Sequence, residues 1–255
     1  MGSQIVQFQG STGGRLQGIL EEPTAEAVAY ALYSHCFTCG KDLKSTAVIS
    51  RTLSRHGMAT LRFDFTGVGQ SEGRVQDATF ENFVRDLVLA ARFLAGRARA
   101  KTLLIGHSLG GAAVLAASAE IPEARAVATI ATPAQTRLLA DKLERLLPPE
   151  GCCSEPGEGQ TTFAGKPVRF HADLIQGLKD TDLGPRIASL GKPLLILHSP
   201  HDDVVPFDQA LLLFATAPHP RSLVSLTFPD HLLLDPTEAT YVADLIATWA
   251  RPYLA

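Results

Sequence analysis

One serine stands between small residues in Gly106-His-Ser-Leu-Gly110, where an apolar run, Leu103-Leu-Ile105, gives way to an alanine-rich segment. A bend this sharp strains the backbone at Ser108 and leaves little room for side chains two residues to either side, which accounts for the glycines. The segment after it opens a helix whose positive end and amides face the serine, an arrangement that steadies a developing oxyanion. A hydroxyl at its own pKa is a poor nucleophile, so it needs a base, and the base needs an orienting acid. Two later loops carry such groups. Ser199-Pro-His-Asp-Asp-Val-Val-Pro206 holds Asp202 and Asp203, and Pro229-Asp-His-Leu232 holds His231. The chemistry available to this set is acyl transfer to Ser108 followed by hydrolysis, with no metal or cofactor required.

Other reactive side chains read differently. Cys36-Phe-Thr-Cys39 is a C-x-x-C just ahead of a predicted helix, where a dithiol gains thiolate character. Its position in a loop beside the candidate site favours a structural role, with a redox dithiol as the alternative. A metal site is not expected, because no second C-x-x-C or histidine pair has ligand spacing. Cys152 and Cys153 are adjacent thiols in a Pro/Gly-rich stretch, and four cysteines in 255 residues make no disulfide scaffold, so reduced thiols are the default. His35, His107, His198 and His201 fall near the same loops; His35, Cys36 and His107 are candidates for the substrate pocket, the others for packing. Asp64 and Glu72 are expected to fix the loop after their strand, and Arg85, Asp86 and Arg92 to form a solvated helix face.

The elements that must position these groups follow from hydrophobic period. Segments 4–9 and 15–20 flank a Gly/Ser-rich turn as a hairpin, and strands are predicted over 27–34, 59–65, 101–105, 126–131, 193–198 and 222–228. Helices are predicted over 41–56, 80–94, 109–120, 206–216 and 236–250. Such alternation implies a mostly parallel sheet of about eight strands, covered on both faces. Sites in such sheets lie beyond the carboxyl ends of the strands, where the loops holding Ser108, Asp202, Asp203 and His231 fall. One domain over 1–255 is expected, with a cap inserted at about 133–190: a helix over 135–147, an irregular stretch over 148–159, a small hairpin, then a helix over 171–180. Leu138, Leu139, Leu143, Leu146 and Leu147 either line an acyl pocket or pack on the body.

With these motifs the sequence resembles the α/β-hydrolase family along nearly its whole length. The resemblance implies the order nucleophile, acid, histidine, with the acid four residues before a proline; counting back from Pro206 selects Asp202, with Asp203 the alternative. It implies an oxyanion hole from the amides of Leu109 and Phe37, although Cys36 stands where glycine is usual. Asp64-Phe-Thr-Gly-Val-Gly-Gln-Ser is similar to the family's Asp-x-Arg-Gly-x-Gly-x-Ser loop, with Thr66 in place of Arg. The segments SHCFTCGKDLK, LRFDFTGVGQSEG and LLIGHSLGGAAVLAA resemble hydrolase domains fused ahead of an OsmC-like peroxidase domain in bacterial bifunctional proteins. That implies an OsmC-like partner domain, absent from the sequence given. The expected activity is hydrolysis of a small-molecule carboxylic ester; thioester or peptide hydrolysis is the rival within catalysis, and a non-catalytic domain serving an OsmC-like partner the rival outside it.

Bulk properties narrow the partners. Hydrophobic residues make up 45% and charged residues 19%, as in a chain with a real core. A net charge of -3 offers no basic field for nucleic acid or an anionic membrane. The opening MGSQIVQFQG has no charged n-region and no apolar h-region, so a cytoplasmic location is expected.

Overall fold

A computed structural model describes residues 2–37, 39–97, 101–147, 157–163, 166–227 and 230–255. Eight strands form one sheet: β1 (Gly2–Gln9), β2 (Arg15–Glu22), β3 (Ala29–Ser34), β4 (Met58–Phe63), β5 (Thr102–His107), β6 (Ala124–Ile130), then β9 (Leu194–His198) and β10 (Arg221–Ser225). Their spatial order is β1-β2-β4-β3-β5-β6-β9-β10. Among the described residues, β2 alone runs opposite to the other strands of the sheet; the pairs from β4 to β10 are parallel, as the alternating pattern predicts. The segment 226–228, predicted as the end of the last strand, lies beyond β10, and Phe228 is outside the described residues.

Side-chain period sorts the core into two layers. Leu103 and Ile105 of β5 join Ile49 and Leu53 of α1 (Lys44–Arg55) and Val242 and Ile246 of α8 (Pro236–Leu254) on one face. Leu104 turns to the other face, against α2 (Phe80–Arg97) and α3 (Leu109–Ala117). All nine residues of α3 are buried, which explains why it is built from Gly, Ala, Val and Leu. α7 (Phe207–Thr216) connects β9 to β10, and α8 starts cleanly because the Asp235 carboxylate accepts from Thr237 N at 2.7 Å and Pro236 takes the first helical position.

The solvated face predicted around residue 86 is half right. Arg85 and Arg92 are exposed, but Asp86 is fully buried and accepts from the Ser11 amide (2.8 Å), the Thr66 amide (2.8 Å) and Thr66 Oγ1 (3.1 Å). It ties the first hairpin to the loop after β4, and burial pushes its carboxyl up despite those donors.

Between β6 and β9 run α4 (Arg137–Glu144), a separate hairpin of β7 (Glu158–Phe163) and β8 (Lys166–His171), α5 (Ala172–Asp180) and α6 (Gly184–Ala188). α4 packs against α5, where Thr136 Oγ1 donates to Leu178 O at 2.7 Å. The short α6 is absent from the sequence-based prediction, since five residues show no period. Of the stretch 148–159 predicted as irregular, residues 148–156, with Cys152 and Cys153, lie outside the described residues, while Glu158 and Gly159 already pair with β8.

Candidate active site

β5 delivers Ser108 to the carboxyl edge of the sheet and α3 begins at the next residue. Ser108 has φ 54° and ψ −123°, a left-handed conformation that costs a side-chain-bearing residue about 1–3 kcal/mol. Surrounding contacts over-determine it. Its amide donates to Ile130 O at 2.8 Å, and its carbonyl accepts from Gly111 N at 3.0 Å. A Cβ on Gly106 would strike Gly110 O and Gly111 Cα, and one on Gly110 would strike the carbonyls of Ser34 and His35. The glycines are therefore there for close backbone approach. Gly111, not singled out from sequence, is equally constrained: its Cβ would occupy the place of Thr132 Oγ1. Leu109 and Gly110 head α3, and the first amides of a helix lack intrahelical acceptors, so its positive end lies beside Ser108.

Asp202 and His231 meet across two loops. Asp202 Oδ2 lies 2.7 Å from His231 Nδ1, both side chains being almost fully buried. Asp202 Oδ1 accepts from the amides of Val204 and Val205, each at 2.8 Å, which fixes the carboxylate plane. Burial works against its charge, but the His231 hydrogen bond and charge, with the two amides, prevail and hold its carboxyl below the usual range. Asp203, the alternative acid, is exposed. His198 also reaches this loop: its Nε2 donates to Val205 O at 2.8 Å and lies 3.7 Å from Asp202 Oδ2. Burial pushes His198 down, so it stays neutral and leaves the Asp202 charge to His231.

Two further residues shape the His231 loop. The Asp230 carboxylate accepts from Leu232 N (2.9 Å) and Leu234 N (2.7 Å), closing a turn in which Leu233 takes φ 52°. Its neighbour relation to His231 was the only signal in the sequence; an Asp bonding its own following amides is a familiar turn device. His107 Nε2 donates to the backbone carbonyl of His231 at 2.8 Å, and the two rings lie 5.2 Å apart. Burial, helped by repulsion from His231, pushes His107 down to about 3, so it acts as a neutral donor.

Ser108 and His231 line one pocket of about 160 Å³ with Cys36, Phe37, Leu109, Val204, then Leu139, Lys142 and Leu143 of α4 and Leu146 just beyond its end. Of the three pocket candidates, Cys36 is in the lining, while His35 and His107 are buried outside it. Of the five leucines predicted to line a pocket or pack on the body, Leu139, Leu143 and Leu146 line it, and Leu139, Leu143 and Leu147 pack on the core. Lys142 Nζ donates to Val204 O, linking α4 to the acid loop.

The loop after β3 departs from the expectation of reduced thiols: Cys36 and Cys39 are joined by a disulfide. Three residues of separation put the two within reach, and the Cys39 amide closes the same turn on Cys36 O at 3.0 Å. One ligand atom each from Cys36, Cys39 and His107 falls within 4.8 Å of the others, but sulfurs bonded to one another are not thiolate ligands. Asp64 and Lys41 anchor the end of this loop. Asp64 accepts from Lys41 N (2.7 Å), Lys41 Nζ (3.0 Å) and Gln70 N (3.0 Å), as its expected structural role requires. Glu72 likewise binds Arg15 through its backbone amide and guanidinium.

No described helix is long and apolar enough to cross a membrane. The family described as serine aminopeptidase, S33 (Hydrolase_4) matches residues 40–148. Among curated proteins, the chain is 27% identical over 162 residues to the mitochondrial palmitoyl-protein thioesterase ABHD10 of Homo sapiens, covering 61% of this chain and 51% of that protein. It is 23% identical over 240 residues to the uncharacterized protein YfhR of Escherichia coli O157:H7, covering 90% and 74%. The chain thus spans about half the length of the thioesterase it matches. Among solved structures, Est1E of Butyrivibrio proteoclasticus with bound ferulic acid shares the fold at TM-score 0.81 and 21% identity, covering 97% of this chain and 98% of that one. The esterase domain of a Rhodothermus marinus protein superposes with TM-score 0.82 and 40% identity over 100% of both chains. With that identity over the whole of both chains, and with the sheet order described above, this chain belongs to the α/β-hydrolase family, as a hydrolase akin to its esterases.

Proposed function

We propose that the protein is a serine carboxylic-ester hydrolase in which Ser108 attacks the acyl carbonyl. His231 takes the serine proton and returns it to the leaving alkoxide; Asp202 orients the imidazole and stabilises its cation; the Phe37 and Leu109 amides receive the oxyanion. Water then resolves the acyl-enzyme by the same route. The observation that carries this reading is the buried 2.7 Å contact between His231 and Asp202, with His231 lining the same pocket as the strained Ser108.

Residues 133–190 are read as a cap within a single domain, because α4 and Leu146 just after it supply four of the pocket residues. An apolar cavity of about 150 Å³ admits a benzene-sized group, so a pocket of about 160 Å³ suits an acyl chain of a few carbons. Thioester hydrolysis is a second reading, favoured by the likeness over 162 residues to a palmitoyl-protein thioesterase. An OsmC-like partner domain rests on the resemblance of the three quoted segments alone.

The test compares wild type with Ser108→Ala on p-nitrophenyl acetate and butyrate and on matched thioesters. Loss of the nucleophile is expected to cost on the order of 10⁴-fold or more in kcat. A fluorophosphonate should label wild type at Ser108 and leave the variant unlabelled. Equal rates in both proteins would overturn the mechanism.

A further inference from the structure

We infer that Cys36 and Cys39 form a reversible thiol–disulfide site that sets the rate of the hydrolysis proposed at Ser108, with the disulfide as the faster form. The inference rests on that reading of Ser108 and adds a control to it. Three observations converge. The two cysteines are bonded and bracket Phe37, the residue whose amide is the proposed second oxyanion donor. Cys36 and Phe37 both line the pocket that contains Ser108 and His231. The bonded pair also differs in access: Cys36 is 2% exposed, whereas Cys39 is only half-buried.

Both ends of this loop are anchored independently of the disulfide. On one side His35 Nδ1 donates to Cys36 O at 2.7 Å; on the other Lys41 N donates to Asp64 Oδ1 at 2.7 Å. Between those anchors the disulfide and the Cys39 amide bond close the turn that presents Phe37. Donors aimed at an oxyanion work because they are fixed in advance, and deleting one from a comparable site costs roughly 10²–10³ in kcat. Opening the disulfide leaves the Phe37 amide present but less firmly held, so the expected loss is smaller, about tenfold, and it falls on kcat.

The exchange balances with a small-molecule thiol as reductant. Its thiolate attacks Cys39 Sγ, the more open sulfur, forming a mixed disulfide and expelling Cys36 as a thiolate that takes up the proton released. A second thiol attacks the outer sulfur of the mixed disulfide and frees Cys39. The protein gains two electrons and two protons, and two small thiols leave as one disulfide.

The experiment uses full-length protein carrying Cys152→Ser and Cys153→Ser, so that every thiol counted comes from Cys36 and Cys39. Oxidised protein is assayed on p-nitrophenyl butyrate, reduced with dithiothreitol, desalted, counted for thiols, assayed again, then reoxidised with oxidised glutathione. The expected result is two thiols released, kcat down about tenfold with KM within about twofold, and recovery on reoxidation. Cys39→Ala should be fixed near the reduced rate and indifferent to dithiothreitol. The inference is overturned by equal or faster turnover after both thiols appear, by a disulfide that dithiothreitol does not open, or by a Cys39→Ala protein at the full oxidised rate. Absence of ester turnover and of fluorophosphonate labelling in both redox states would instead remove the hydrolytic reading of Ser108, and this inference with it.

Discussion

Asp64 and Asp202 are both buried at the carboxyl edge of the sheet, one after β4 and the other after β9, yet they answer to different donors. Asp64 is held by two backbone amides and by the ammonium of Lys41, itself only 1% exposed. Those donors lie in the loops after β3 and β4, so Asp64 serves to hold the loops in place. Asp202 spends one oxygen on two amides and offers the other to the imidazole of His231, which lines the pocket with Ser108. Burial and several donors are therefore common to both carboxylates. What separates a structural acid from a candidate catalytic one is a histidine partner that also reaches the pocket.

That contrast can be broken in three places. Asp202→Asn should lower kcat by on the order of 10³–10⁴ while the protein still folds, because the imidazole loses the partner that sets its tautomer. Asp203→Asn is the control, expected within about twofold of wild type; initial rates and thermal melts decide the pair. At the other carboxylate the effect should move from rate to stability. Lys41→Met leaves Asp64 buried without its cation and should cost about 3–5 kcal/mol in urea unfolding, with turnover per labelled serine within a few-fold of wild type. A Lys41→Met protein of normal stability and negligible turnover would erase the distinction.

The third and smallest effect concerns pH. His107 is pushed down to about 3 in the fold, against about 6.5 when unfolded. Between those values the unfolded chain binds a proton that the native state refuses, so stability falls as pH drops from about 6.5 towards 3. His107→Gln keeps a side-chain donor for the His231 carbonyl and should remove up to one proton from this dependence, measured as the change in unfolding free energy from pH 7 to pH 5. An unchanged slope would show that His107 is charged in the fold.

Much of this architecture was legible because a parallel sheet writes itself as short apolar runs at regular intervals, and the glycines around Ser108 reveal a backbone crossing. The site was legible in its types and order. Choosing Asp202 over Asp203 needed the family's spacing, since adjacent residues of one type carry no geometric label in sequence. Asp86 was misjudged because its arginine neighbours suggested a wet face; its helical register with Phe83, Leu87 and Ala90 places it inside. The roles of Asp230 and His107 were hidden for another reason. Both act through backbone groups of the His231 loop, and backbone acceptors leave no mark in residue identity. The Cys36–Cys39 bond was discounted on a count of cysteines, a measure blind to two that lie within one turn.

The left-handed backbone of Ser108 has a consequence for anyone who tries to make this protein sturdier. Glycine adopts that conformation freely, so Ser108→Gly would release most of a cost of about 1–3 kcal/mol. Threonine keeps a hydroxyl, but its branched Cβ tolerates the same backbone poorly. A screen for heat resistance alone would therefore reward loss of the proposed nucleophile.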